Sequence, residues 1–286
     1  MKSIHFPTPT SPSPAKLPVS IGDFVQNAGA ATCFHPTIEG TLLSGLCTLL
    51  GTTGQLMEGE SGLGLLLARA YAEMAVSPSF MLTGSAVPFC MSTEPEGGHY
   101  FLHVPDGADS SAPVLLLLHG YGGNLLYFPW AIWKEIPEAI LIAPSWQINW
   151  SEGTFSNRRR YVEAALAHAE EKIGINLKAP WLVPLSQGGP MAFNLASTKP
   201  RRFSGLLGIS TFAECVQDIA HIDPEFPVRL LHGDHDLRVD CGEACDAVIA
   251  IQRSGGDAKI TAIQGANHWL LLSDRKKMGD FLRENI

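Results

Sequence analysis

Positive charge is scarce in this sequence and poorly clustered. Lys and Arg total 20 against 28 Asp and Glu, for a formal net charge of −8. The longest basic run, Arg158-Arg159-Arg160, opens a helical pattern and reads as a solvated face. That balance excludes a nucleic-acid partner, because gripping a phosphate backbone takes many Lys and Arg contacts. Long hydrophobic runs are also missing. The stretch 41–57 is rich in Gly and Thr and too short and polar to span a bilayer. Residues 1–20 have no apolar signal core and are broken by Pro7, Pro9, Pro12, Pro14 and Pro18, so they read as a disordered leader. The 6 cysteines (Cys33, Cys47, Cys90, Cys215, Cys241 and Cys245) include no Cys-x-x-Cys and lack the density of a disulfide framework. Cys241 and Cys245 stand one helical turn apart. Reduced thiols in a cytoplasmic protein are the plain expectation. No internal repeat and no His-Glu-x-x-His helix is present, and nothing calls for a metal or a cofactor.

What is present is apolar and well patterned. Hydrophobic residues make up 45 % of 286, enough for one large α/β domain with a modest extension. From about residue 86 short β-like runs alternate with helical patterns, which predicts a mostly parallel sheet covered on both faces. Eight strands are expected: 86–92, 99–104, 114–119, 139–143, 181–185, 203–209, 228–232 and 259–263. The continuous run Val114-Leu115-Leu116-Leu117-Leu118 suits a strand buried on both faces. Helices are expected over 157–172, 187–198, 242–253 and 269–283. Residues 21–85 stand apart as a helical extension packed on the 86–286 domain. Leu42, Leu43, Leu46, Leu49 and Leu50 recur at three- and four-residue steps, as do Leu65, Leu66, Ala70, Tyr71 and Met74. Such stripes would serve either a lid over a site or a cover for core surface.

Four local patterns carry chemistry, each expected at the C-terminal end of a strand. In Pro184-Leu185-Ser186-Gln187-Gly188-Gly189 a strongly apolar strand ends and a helix begins. A serine on so sharp a turn lifts its Oγ above the sheet edge, and small neighbours let the turn close. The helix after it aims its first N–H groups and positive dipole end at the same point. His119-Gly120-Tyr121-Gly122-Gly123 follows the 114–119 strand. Its backbone can turn inward, so the N–H groups of Tyr121 and Gln187 would face an oxygen that becomes negative in acyl transfer. His119 is read as bracing that loop. His232-Gly233-Asp234-His235-Asp236 supplies an acid for a histidine Nδ1–H, with Asp236 favoured and Asp234 the fallback. Gly265-Ala266-Asn267-His268-Trp269 supplies the histidine. Trp146, Trp150 and Phe155, with Trp269, are candidates for an apolar substrate pocket.

The stretch from His119 to about Trp269 resembles the α/β-hydrolase superfamily, and within it the carboxylesterase group with phospholipase- and acyl-thioesterase-like members. The carriers are Ser-Gln-Gly-Gly at 186–189, His-Gly-x-x-Asp-x-x-Val from 232, and the short link between the sixth and seventh expected strands. Pro184 departs from the pattern, standing where the first glycine of Gly-x-Ser-x-Gly is usual. The resemblance implies an eight-stranded α/β-hydrolase fold and the chain order Ser, Asp, His. It also implies hydrolysis of a small-molecule carboxylic ester or thioester by Ser186, His268 and Asp236, without cofactor. The same constellation serves peptidases and amidases, and the fold also hosts binding proteins without activity.

Overall fold

The computed structural model describes residues 36–77, 80, 99–121, 123, 125–145, 154–174, 176–177, 179–214, 219 and 222–286. Two helices come first, α1 (Pro36–Thr52) and α2 (Leu63–Ala75). Strands β1 (His99–His103) and β2 (Val114–Leu118) follow, then α3 (Tyr127–Glu135), β3 (Ile140–Ser145) and α4 (Thr154–Ile173). The second half runs β4 (Trp181–Pro184), α5 (Gly189–Thr198), β5 (Gly205–Ile209), β6 (Val228–Gly233), α6 (Cys241–Arg253) and β7 (Ala258–Ile263). It closes on the short α7 (Leu270–Ser273) and α8 (Arg275–Asn285). The strands form one sheet in the order β1-β3-β2-β4-β5-β6-β7. β1 lies antiparallel to β3, and every other pairing is parallel. The sheet has seven described strands rather than the eight expected; the first expected strand, 86–92, lies outside the described residues.

Successive side chains on a strand point to opposite faces, so the apolar strands serve two cores at once. Leu115 and Leu117 of β2, Leu141 of β3, Val183 of β4 and Leu231 of β6 enter one core, capped by α2, α3, α7 and α8. Leu116 and Leu118, Ile142, Leu182 and Leu230 enter the other, capped by α4, α5 and α6. All five residues of β2 are buried, as its unbroken apolar run required.

Three departures have local causes. Helix α3 was not anticipated because seven of its nine residues are buried, leaving no polar face to mark a period. Pro129 also sits in its first turn, a position that tolerates proline. The single helix expected over 269–283 is two, divided at Asp274, whose backbone is non-helical at φ −118° and ψ 33°. In α1 the expected apolar stripe does not seal: Leu42, Leu46 and Leu49 are 59 %, 52 % and 59 % exposed. Helix α2 buries Ala70, Tyr71 and Met74 of its expected stripe, but with Leu63 and Leu67 in place of Leu66 and of Leu65, which is 57 % exposed. Among the described residues no helix is long and apolar enough to cross a membrane.

Candidate active site

Parallel strands deliver their C-terminal ends to one rim of the sheet, and loops there can converge on a crevice. Ser186 leaves β4 in the left-handed region, at φ +50°. A non-glycine residue held there costs roughly 1–3 kcal/mol and persists only where its surroundings enforce it. The enforcement is visible. Leu185 N–H donates to Leu118 O at 3.0 Å, Gly188 N–H to Leu185 O at 2.8 Å, and the Thr211 hydroxyl to Ser186 O at 2.5 Å. Gly188 packs so tightly on β2 that a Cβ there would come within 2.1 Å of Leu118 O. Ser210, the other described non-glycine residue with positive φ, is fully buried and does not line the crevice.

Pro184 is accommodated by a gap in the ladder. Neighbouring N–H groups on a strand point to opposite sides, and Leu185 uses its own toward β2, so position 184 faces β5. Pairing with β5 covers Trp181 and Leu182, lapses at 183–184, and resumes as the bridge Leu185↔Ile209 in the same register. The missing donor falls in that gap.

The acid and the histidine meet across two loops. After β6, Asp236 is 5 % exposed, and after β7, His268 is 6 % exposed. His268 Nδ1–H donates to Asp236 Oδ2 at 2.8 Å, which leaves Nε2 as the basic nitrogen. Asp236 Oδ1 accepts from the backbone N–H groups of Arg238 at 2.9 Å and Val239 at 3.0 Å. Burial alone would push the Asp236 carboxyl up. The hydrogen bond and charge of His268 and the two N–H groups outweigh it together, and the carboxyl lies below its ordinary range. His232 Nε2 donates to Val239 O at 2.9 Å and lies 3.4 Å from Asp236 Oδ2, so it braces the same loop from inside. Asp234 points elsewhere: it is exposed, and its Oδ1 accepts Gly265 N–H at 2.6 Å.

Ser186 and His268 border one crevice of about 330 Å³. Ser186, Gln187, Arg238 and His268 supply its polar lining, and Tyr127, Leu185, Phe212, Val239, Trp269 and Leu271 its apolar walls. Gly120 and Tyr121 close one side, with Gly120 so near that a Cβ on it would lie 3.1 Å from Ser186 Cβ. His119, buried beneath this turn, donates from Nδ1 to Gly120 O at 2.8 Å. Trp269 stands edge-on to His268 with ring centres 5.8 Å apart and tilts against Tyr127 at 6.0 Å. Among the described residues no group of three or more His, Cys, Asp and Glu side chains gathers as a metal site.

Of the residues expected from sequence, Ser186, Gln187, Tyr121, His268 and Trp269 share the crevice, and Asp236 stands behind His268. Trp146 and Trp150 lie outside the described residues, as does the side chain of Phe155 in α4. Sequence reasoning passed over Tyr127, Phe212 and Arg238. Arg238 carried a signal, being two positions from the expected acid. Tyr127, at the start of α3, and Phe212, just past β5, carried none, because aromatic residues at such positions are equally at home in a core. It also passed over Glu60, which joins Arg238 and Trp269 from the α1–α2 connection.

No protein-family model matches this chain, and comparison with curated proteins gives no match. Solved structures do match. The chain is similar to esterase PE8 (22 % identity, TM-score 0.50, covering 65 % of this chain and 97 % of that one). It is similar to the Bacillus cereus carboxylesterase (16 %, TM-score 0.53, 66 % and 95 %) and to a ferulic acid esterase (17 %, TM-score 0.51, 68 % and 95 %). At such identities the likeness establishes the fold, which is the α/β-hydrolase fold, over about two-thirds of this chain.

Proposed function

We propose that this protein is a serine hydrolase that cleaves carboxylic esters through an acyl-enzyme. Ser186 is the nucleophile, His268 the general base and then general acid, and Asp236 the group that orients it. The observation that carries the reading is the 2.8 Å bond from His268 Nδ1 to the buried Asp236, on the same crevice as a serine at φ +50°. Asp236 holds the imidazole in the tautomer that frees Nε2, and it stabilises the imidazolium once a proton arrives. Ser186 Oγ adds to the acyl carbon as its proton passes to Nε2. The carbonyl electrons move onto oxygen, and the N–H groups of Tyr121 and Gln187 receive that negative charge. When the intermediate collapses, the C–O bond to the alcohol breaks and His268 returns the proton to the departing oxygen. Water then repeats the two steps on the acyl-Ser186 ester, releasing the acid.

The apolar and aromatic walls and the modest volume favour a short acyl or an aryl group on a small, uncharged ester. A thioester would pass through the same steps. The neighbouring folds are esterases by name, which supports the ester reading over peptide cleavage. A cytoplasmic location belongs to this reading, supported by the free thiols of Cys47, Cys241 and Cys245.

The test is hydrolysis of p-nitrophenyl esters of increasing acyl length beside thioester and peptide panels. Ser186→Ala should lower ester turnover on the order of 10⁶-fold with the fold intact. Near-normal turnover by that variant would remove Ser186 from the mechanism.

A further inference from the structure

Two buried carboxylates tie the α1–α2 pair to the rest of the chain, and one of them reaches the loops of the proposed triad. Glu39, 3 % exposed, accepts Leu126 N–H at 2.8 Å and the Tyr71 hydroxyl, away from those loops. Glu60, also 3 % exposed, accepts Arg238 Nε–H and Nη2–H at 2.6 Å each and Trp269 Nε1–H at 3.0 Å. Arg238 contributes one of the two N–H groups that hold Asp236 Oδ1, and Trp269 directly follows His268. The residue before Glu60 adds a second tie. Gly59 O accepts Asn267 Nδ2–H at 2.9 Å, and Asn267 Oδ1 in turn accepts Trp269 N–H at 2.9 Å. Both sequence neighbours of His268 and the loop of Asp236 are therefore bound to residues 59–60.

Oε1 of Glu60 is shared between the two loops, so neither can shift without disturbing the other. A displacement of about 1 Å in a reacting group can cost on the order of 10²-fold in rate. A buried carboxylate is also expensive unless its partners are held in good geometry, and here all are N–H donors at fixed positions. We infer that Glu60 is a positioning residue for the Asp236–His268 pair, so that the N-terminal helical pair completes the active site instead of merely covering the core. The inference rests on the hydrolase reading above, in which that pair activates Ser186. It runs against a lid formed by these helices, since a lid that swung away would release both loops.

The experiment compares the full-length protein with Glu60→Ala, with the double variant Glu60→Met/Arg238→Met, and with Glu39→Gln. Each is assayed on p-nitrophenyl butyrate well below its own melting temperature. Glu60→Ala should lower kcat by about 10- to 100-fold, more than it raises KM. In the same sample the NMR signal of the His268 Nδ1–H proton should broaden through exchange with water. The double variant removes the buried Glu60 carboxylate together with the exposed Arg238 charge that neutralises it, so no unpaired charge is left behind, an exchange that is often neutral or stabilising. It should melt at or above wild type and still show the kcat loss. Glu39→Gln should lower the melting temperature while kcat and the His268 signal stay at wild type.

Recovery of kcat in the double variant would overturn the inference, as would an equal kcat loss in Glu39→Gln or an undisturbed His268 proton in Glu60→Ala. Ser186→Ala, run alongside, keeps the two ideas separate. If it retains ester turnover the assignment of Ser186 as nucleophile fails, and the His268 proton still reports on positioning. If it is inactive while the Glu60 variants work normally, only the inference fails.

Discussion

The rim of the sheet and the α1–α2 pair lie side by side but are held by different forces. At the rim, hydrogen bonds run within and between loops: Arg238 and Val239 N–H to Asp236, His268 to the same carboxylate, Gly265 N–H to Asp234. These are directional, and they set angles and tautomers. The helical pair is held mainly through α2, whose Leu63, Leu67, Tyr71 and Met74 join the same core as β2 and α8. Each such side chain contributes on the order of 1.5–3 kcal/mol by leaving water, with little demand on angle. Substitutions at the rim should therefore change chemistry and spare the fold, and substitutions in α2 should do the reverse. Glu60 is the point where the two regimes overlap.

After the nucleophile itself, the largest effect should come from the acid. Asp236→Asn is expected to lower kcat by about 10⁴-fold, because an amide favours the wrong imidazole tautomer. Asp234→Asn should cost little, since that carboxylate is exposed and only caps Gly265 N–H. A kinetic comparison of the two variants checks this, and a reversal would hand the acid's role to Asp234. On the other side of the comparison, Met74→Ala leaves a hole under α2, where Met74 is fully buried. Denaturant unfolding should show a loss of about 2–5 kcal/mol, with kcat nearly unchanged for the folded fraction. A kcat loss out of proportion to stability would mean that the packing of α2 itself tunes the rim.

The Asp236 carboxyl also couples the rim to stability through pH. Its folded pKa lies below the ordinary value, so between the two the unfolded chain binds more protons at this site than the native protein does. Its contribution is present above the ordinary carboxylate range and is lost as pH falls through the depressed folded pKa. The melting-temperature difference between wild type and Asp236→Asn should thus shrink on acidification, as scans from about pH 7 to below about 3.9 would reveal. A difference independent of pH would show that the carboxylate is no better held in the fold than in the open chain. The smallest effect belongs to α1. Leu46→Ser alters a side chain that is 52 % exposed, and it should move stability by less than about 0.5 kcal/mol. A loss matching that of Met74→Ala would mean that something covers this face in solution.

Much of this protein is determined locally, and local patterns are what a sequence displays. The unbroken run at 114–118 required a strand with both faces buried, because five consecutive apolar side chains leave neither face for water. The small residues after Ser186 marked a strand-to-helix turn, since only such residues let that helix approach within contact of Leu118. Asp236 and His268 could be named as partners from their places after the last two strands. Other features depend on what lies opposite in space. Helices α1 and α2 display similar apolar spacing, yet α2 buries its face in the core while α1 reaches it only with the half-buried Leu43 and Cys47, because periodicity selects a helix face and says nothing of what will cover it. Helix α3 was invisible because it is buried nearly all round. Pro184 looked anomalous until the β4–β5 ladder proved to lapse at its position. Glu60 stands 178 residues from Arg238 and 209 from Trp269, in a turn with no motif of its own. Only the packing of α2 against the sheet brings its carboxylate to those donors, since a hydrogen bond needs proximity and no periodicity records it.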